Sequence, residues 1–107
     1  MQSQRITPAV AIACGGTGGH LFPGLAVADA FKRRGCEVTL IISPKEVDQQ
    51  AAKLAVGLET VTVPAVGYSR GHIVAFLRGF QQSYRAAKKL FAARQPRAVL
   101  AMGGFTS

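Results

Sequence analysis

The stretch Cys14-Gly-Gly-Thr-Gly-Gly-His-Leu-Phe-Pro-Gly24 holds the residues of this chain whose types and spacing could most readily do chemistry. Gly15, Gly16, Gly18 and Gly19 place four glycines within five positions. Lacking Cβ atoms, they let backbone N–H groups come close to a ligand and permit positive φ. A helix predicted to start near Leu21–Pro23 would turn its first N–H groups and its positive dipole end toward the same place. Pro23 suits the first turn of such a helix, where a missing N–H costs nothing. The combination fits an anion, a phosphate or diphosphate, with the Thr17 hydroxyl as a further donor. A tight strand-to-helix turn without a ligand is the competing reading. His20 is the titratable side chain of the turn. It can accept a proton as a general base or simply hydrogen-bond the turn.

Other ligands fit less well. Laid from Gly16, the dinucleotide pattern G-x-G-x-x-G finds Leu21 at its third glycine, and the next strand ends in Ser43-Pro44-Lys45 without a ribose-binding acid. No Gly-Lys-Ser/Thr follows, which removes a P-loop. His72 is the only other histidine, and no Cys/His cluster has ligand spacing, so no metal is expected.

The elements that must position this turn follow from hydrophobic periodicity. Residues 6–14 and 37–43 read as continuous apolar strands, the kind buried on both faces of a parallel sheet. Residues 58–64 and 97–102 read as two more strands. Between them lie a helix ending at Lys32-Arg33-Arg34 and capped by Gly35, a short helix over 46–57, and a long helix from about His72 to Arg94 stopped by Pro96. Strand–helix alternation of this kind predicts an α/β fold, a Rossmann-like parallel sheet with helices on both faces. Both glycine segments, 15–19 and Gly103-Gly104, fall at the C-terminal ends of strands, the edge where open α/β sheets bind ligands.

Charge is distributed unevenly. Of the net charge of +8, residues 1–59 contribute six basic against five acidic side chains, whereas residues 60–107 hold seven basic residues and no acid. The partner is expected to be anionic: phosphates, nucleic acid or a membrane surface. In the long helix Ile73, Phe76, Leu77, Phe80 and Tyr84 form one stripe, flanked by Arg70, Arg78, Arg85, Lys88 and Lys89. About half of the stripe is expected to pack on the sheet, with Val74, Leu90 and Phe91 also available to the core. An exposed stripe with basic neighbours is instead what a peripheral membrane contact would use.

Apolar residues make up 49% of the 107, enough for one small domain with a real core. Cys14 and Cys36 are expected at opposite ends of the sheet, too far apart for a disulfide. The segment from Ile6 to Cys14 reads as a strand rather than a leader, because Pro8 interrupts it and one basic residue precedes it. Ser107 follows directly on a strand, and the expectation is an incomplete N-terminal domain.

The segment 15–28, GGTGGHLFPGLAVA, followed by AMGGFTS at 101–107, closely resembles the N-terminal domain of the bacterial undecaprenyldiphospho-muramoylpentapeptide β-N-acetylglucosaminyltransferases. The resemblance covers essentially the whole chain. It implies a GT-B fold whose UDP-sugar-binding C-terminal domain is absent here, so that residues 1–107 alone are expected to be inactive. It implies an inverting transfer of N-acetylglucosamine from UDP-GlcNAc to the C4 hydroxyl of the muramoyl sugar of lipid I, giving lipid II, without a metal or other cofactor.

By this resemblance His20 is the catalytic base and Thr17, Gly18 and Gly19 contact the donor. Gly15, Gly16, Gly103, Gly104 and Ser107 face the acceptor diphosphate. Ile73, Phe76, Leu77, Phe80, Arg78 and Arg85 meet the anionic inner leaflet, placing the enzyme on the cytoplasmic face of the inner membrane. No nucleic acid is expected as a partner. Phe105 stands where the family usually carries tyrosine. Two alternatives stay open: another GT-B lipid glycosyltransferase, and a non-catalytic phosphate- or nucleotide-binding Rossmann module.

Overall fold

The structure is a computed structural model that describes residues 7–16, 18–55, 57–63 and 71–103. The elements follow in the order β1 (Ala9–Ala13), α1 (Gly18–Arg33), β2 (Glu37–Ile42), α2 (Glu46–Leu54), β3 (Glu59–Thr62), α3 (Ile73–Arg94) and β4 (Ala98–Ala101). The four strands form one parallel sheet in the order β3-β2-β1-β4. Ile12 sits at the centre, level with Leu40 of β2 and Leu100 of β4.

Alternation along the strands sends side chains to two cores. Val10, Ile12 and Cys14, with Val38, Leu40 and Ile42, face α1 and α2 and bury Leu21, Ala28 and Ala51. Ala11, Ala13, Ile41 and Val63 face the other way and receive Leu90 and Ala86 of α3. The expected sheet with helices on both faces is therefore present, and the apolar runs of β1 and β2 are continuous because both of their faces are covered.

The chain leaves β1 through α1 toward β2 on one side, and later returns through α3 to β4 on the other. The strand order reverses between β1 and β4. The crevice outside the C-terminal ends of those two strands is the topological switch point of an open α/β sheet.

The predicted strands and helices all exist, trimmed by a few residues at their ends. One boundary differs in a way that matters. α1 begins at Gly18, three residues before the predicted start, so Gly18 and Gly19 belong to the helix rather than to the turn. Pro23 lies inside the helix, not in its first turn. Its ring denies the Gly19 carbonyl the usual i+4 donor, a loss of one bond that the rest of a 16-residue helix outweighs.

The other end of α1 follows expectation. Gly35 has φ 85°, its N–H bonds the Lys32 carbonyl, and the Cys36 N–H bonds back to Phe31, a Schellman cap.

α3 carries two apolar faces. Gly79, Ala86 and Leu90, spaced i, i+7 and i+11, turn inward, and of these Gly79 and Leu90 are buried. The stripe through Ile73, Leu77, Phe80 and Tyr84 lies about 120° around the helix from them. Each of its four residues is more than half exposed, and Phe76 is half-buried. The expectation that half of the stripe packs on the sheet is thus corrected, because the face carrying Ala86 and Leu90 takes that place. Val74, 65% exposed, and Phe91, 39% exposed, also stay out of the core, while Leu90 enters it.

Candidate functional site

The glycine turn leaves β1 at Cys14, whose N–H still pairs with Ile41. Gly15 has no room for a side chain: a Cβ would come within 2.5 Å of both the Asp48 Oδ2 and the Ser43 nitrogen. Gly16 has φ 108°, a left-handed conformation that glycine adopts without strain. Its N–H donates to Asp48 Oδ2 at 2.8 Å, and its carbonyl accepts from Lys45 Nζ at 3.1 Å.

The same Asp48 oxygen accepts the Ser43 N–H at 2.9 Å and the Ser43 hydroxyl at 2.5 Å. Gln49 closes the arrangement by donating to the Ser43 carbonyl at 2.9 Å and to Thr62 Oγ1 at 3.1 Å. The ends of β1, β2 and β3 are thereby tied together from α2. Gly15 and Gly16, assigned from the sequence to a diphosphate, are both buried, and the Gly16 amide is committed to Asp48. An anion bound at this turn would have to meet the residues that follow them.

Those residues lead into the first turn of α1. Gly18, Gly19 and His20 are its first three residues, where helix N–H groups have no intrahelical acceptor. His20 is half-buried and its ring lies against the segment after β4: a Cβ at Gly103 would be 2.9 Å from both Cδ2 and Nε2. Gly103 itself has φ 99°. The Met102 N–H bonds Ala13 and carries the β4 pairing up to this point. The two glycine segments, distant in sequence, therefore meet at the His20 imidazole in the β1/β4 crevice. Thr17, Gly104 and Ser107 lie outside the described residues, as do Arg70 and Phe105.

Gly24 lets α1 sit directly on β1, since a Cβ there would overlap the Cys14 side chain. Burial, reinforced by the nearby Asp48 carboxylate, pushes the Cys14 thiol up to about 11 from an ordinary 9.0. Cys14 is therefore a neutral packing residue. Cys36 is free at the opposite end of the sheet. Among the described residues, no group of three or more His, Cys, Asp or Glu could hold a metal ion.

Asp48, Ser43 and Lys45 carried no role in the sequence reading. A signal was present: Asp48 heads the stripe Asp48, Ala51, Ala52, Ala55, with the i, i+3, i+4, i+7 spacing of a core-facing helix side. An acid in such a stripe must be buried, and a buried acid must be hydrogen-bonded.

On the surface of α3, Ile73, Leu77 and Phe80 are exposed together with Arg78 and Arg85, and the Phe76 and Phe80 rings lie 6.5 Å apart. Among the described residues no helix is long and apolar enough to cross a membrane.

Comparison with known proteins agrees with this architecture. A model of the glycosyltransferase family 28 N-terminal domain matches residues 10–107. A Xanthomonas campestris pv. campestris (strain B100) protein named UDP-N-acetylglucosamine--N-acetylmuramyl-(pentapeptide) pyrophosphoryl-undecaprenol N-acetylglucosamine transferase is 36% identical over 103 residues, covering 92% of this chain and 23% of its own. A protein of the same name from Opitutus terrae is 47% identical over 58 residues, covering 54% of this chain and 15% of its own.

The chain thus spans about a quarter of the length, or less, of these curated relatives. The crystal structure of LpCGTa in complex with UDP superposes with a TM-score of 0.64 at 18% identity, over 90% of this chain and 25% of that one. Glycyrrhiza uralensis UGT73P12, complexed with glycyrrhetinic acid 3-O-monoglucuronide, gives 0.56 at 16% identity, over 90% and 24%. At such identities the likeness establishes the fold alone, a Rossmann-like N-terminal domain of the GT-B kind.

Proposed function

Because the chain belongs to the glycosyltransferase family 28 N-terminal domain family, we propose that it forms the acceptor-side half of an inverting N-acetylglucosaminyltransferase of cell-wall synthesis. Its donor is UDP-GlcNAc and its acceptor the C4 hydroxyl of the muramoyl sugar in undecaprenyl-diphosphate-linked lipid I. The product is lipid II. The observation that carries this reading is the meeting of both glycine segments at His20 in the β1/β4 crevice. The names of the relatives supply the donor and acceptor chemistry.

In the reaction the acceptor hydroxyl oxygen attacks C1 of N-acetylglucosamine, and the bond from C1 to the UDP oxygen breaks. His20 takes the hydroxyl proton as general base. Amides of residues 17–19 hold the donor diphosphate as it gathers charge, aided by the positive end of α1. Gly103, Gly104 and Ser107 face the acceptor diphosphate, while Gly15 and Gly16 fix the turn from behind. No resident metal or cofactor takes part in this scheme.

The lipid acceptor requires access to a membrane. The exposed residues Ile73, Leu77 and Phe80, with Phe76 beside them, enter the acyl–headgroup boundary, and Arg78 and Arg85 meet anionic headgroups. The protein is accordingly peripheral, on the cytoplasmic face of the inner membrane.

The test is transfer by the full-length protein, with UDP-GlcNAc and a lipid I analogue, the disaccharide product being identified by mass and its linkage by NMR. A β-linked GlcNAc at C4 is expected. Transfer to diacylglycerol or a sterol in its place, or no transfer to any lipid, would overturn the proposal.

A further inference from the structure

Asp48 is fully buried, yet it lies on no face of the crevice and carries no role in the scheme above. One of its oxygens, Oδ2, accepts from the Gly16 N–H, the Ser43 N–H and the Ser43 hydroxyl at 2.5–2.9 Å. The other, Oδ1, is buried and has no hydrogen-bond partner among the described residues. The carboxylate is therefore held by a single oxygen, and that oxygen joins the glycine turn to the end of β2.

Gly15 leaves it no freedom, since even a methyl group there would overlap Oδ2. Lys45 grips the same turn from the other side through the Gly16 carbonyl. The direction in which the chain leaves Gly16 toward the start of α1 is fixed by these contacts. Anything bound at the α1 N-terminus therefore depends on them.

We propose that Asp48 is a positioning residue for the phosphate cradle: by binding the Gly16 amide from beneath, it fixes where the N–H groups at the start of α1 point. This rests on the reading of that turn as the donor-diphosphate site. Asp48 touches no substrate and acts through the turn.

A merely structural acid and a positioning acid leave different kinetic marks. Loss of folded molecules lowers the apparent kcat and leaves KM alone, whereas a misplaced cradle weakens binding and raises KM. The conservative variant Asp48→Asn keeps an acceptor oxygen for the three donors and puts its NH2 where Oδ1 now lacks a partner. Asp48→Ala removes every acceptor.

The experiment measures, on the full-length protein, the UDP-GlcNAc KM and kcat together with amide hydrogen exchange at Gly16 and Ser43. For Asp48→Ala, KM is expected to rise about tenfold with a smaller change in kcat, and Gly16 exchange to quicken while the α1 interior stays protected. Asp48→Asn should restore KM to within about threefold of the parent. Should Asp48→Ala fail to fold, Ser43→Ala serves instead, removing one donor to Oδ2, and its KM should rise while its kcat holds.

The proposal is overturned if kcat falls with the folded fraction at constant KM, or if Gly16 exchange is unchanged in Asp48→Ala. A parent protein without any transfer from UDP-GlcNAc would overturn the functional reading, while the exchange arm would still decide whether Asp48 holds the turn.

Discussion

The glycine turn and helix α3 are both rich in features that suggest ligand binding, but they are built in opposite ways. Around the turn almost every polar atom is answered within the fold: one carboxylate takes three donors, one lysine grips the turn's carbonyl, and Gln49 seals the end of β2. On α3 six large apolar side chains, Ile73, Val74, Leu77, Phe80, Tyr84 and Phe91, are exposed, and the inward face is made of Gly79, Ala86 and Leu90. The first region is fixed geometry with little tolerance for change. The second is a surface whose residues can change at little cost to the fold. Chemistry that needs placement to a fraction of an ångström belongs on the first, and adhesion to a fluid surface belongs on the second.

The contrast is broken most directly at Gly15. Gly15→Ala should destabilise the protein by about 3 kcal/mol or more, because the methyl group meets backbone and a buried carboxylate that cannot move aside. Urea denaturation followed by circular dichroism measures this, and a loss under about 1 kcal/mol would mean that the turn is pliable.

Cys14 sharpens the same side of the comparison. With its thiol raised to about 11 and shut beneath Gly24, its alkylation at neutral pH should run at least about a hundredfold slower than that of an ordinary exposed thiol. Peptide mapping after iodoacetamide treatment reads the difference. The sign of the linked pH effect follows. The unfolded thiol ionises above 9.0 while the folded one stays neutral, so this contribution to stability is complete below pH 9.0 and declines as the pH rises toward 11.

On α3 the predictions concern binding rather than folding. Arg78→Ala with Arg85→Ala should weaken association with anionic vesicles by about 2 kcal/mol, roughly thirtyfold, with the remaining binding less sensitive to salt. Vesicle co-sedimentation across a salt series tests this. Leu77→Ser should move stability by less than about 0.5 kcal/mol, since the side chain is already 57% exposed. A thermal melt showing a larger loss would place Leu77 in a core.

Much of this fold was legible from residue pattern. Continuous apolar runs mark β1 and β2 because parallel strands are covered on both faces, and Gly35 marks the end of α1 because a Schellman cap needs a positive φ. The start of α1 was misplaced because glycines read as turn and Pro23 reads as a first-turn residue, although a helix tolerates both near its beginning. On α3 two apolar faces compete in one sequence, and the one that packs is the one carrying Ala86 and Leu90, a fact of three-dimensional contact. The Asp48 clamp escaped notice for a related reason. Its partners are backbone amides, which every residue carries, so their position is written in the fold rather than in residue identity.

The account rests most heavily on His20, the half-buried side chain where the two glycine segments meet. The decisive measurement is UDP-GlcNAc binding and transfer to a lipid I analogue by the full-length protein and its His20→Ala variant. Donor affinity should stay within about twofold while turnover falls about 10²–10⁴-fold. Turnover within about twofold of the parent would contradict the assignment of the base, and with it the place given to the β1/β4 crevice in the reaction.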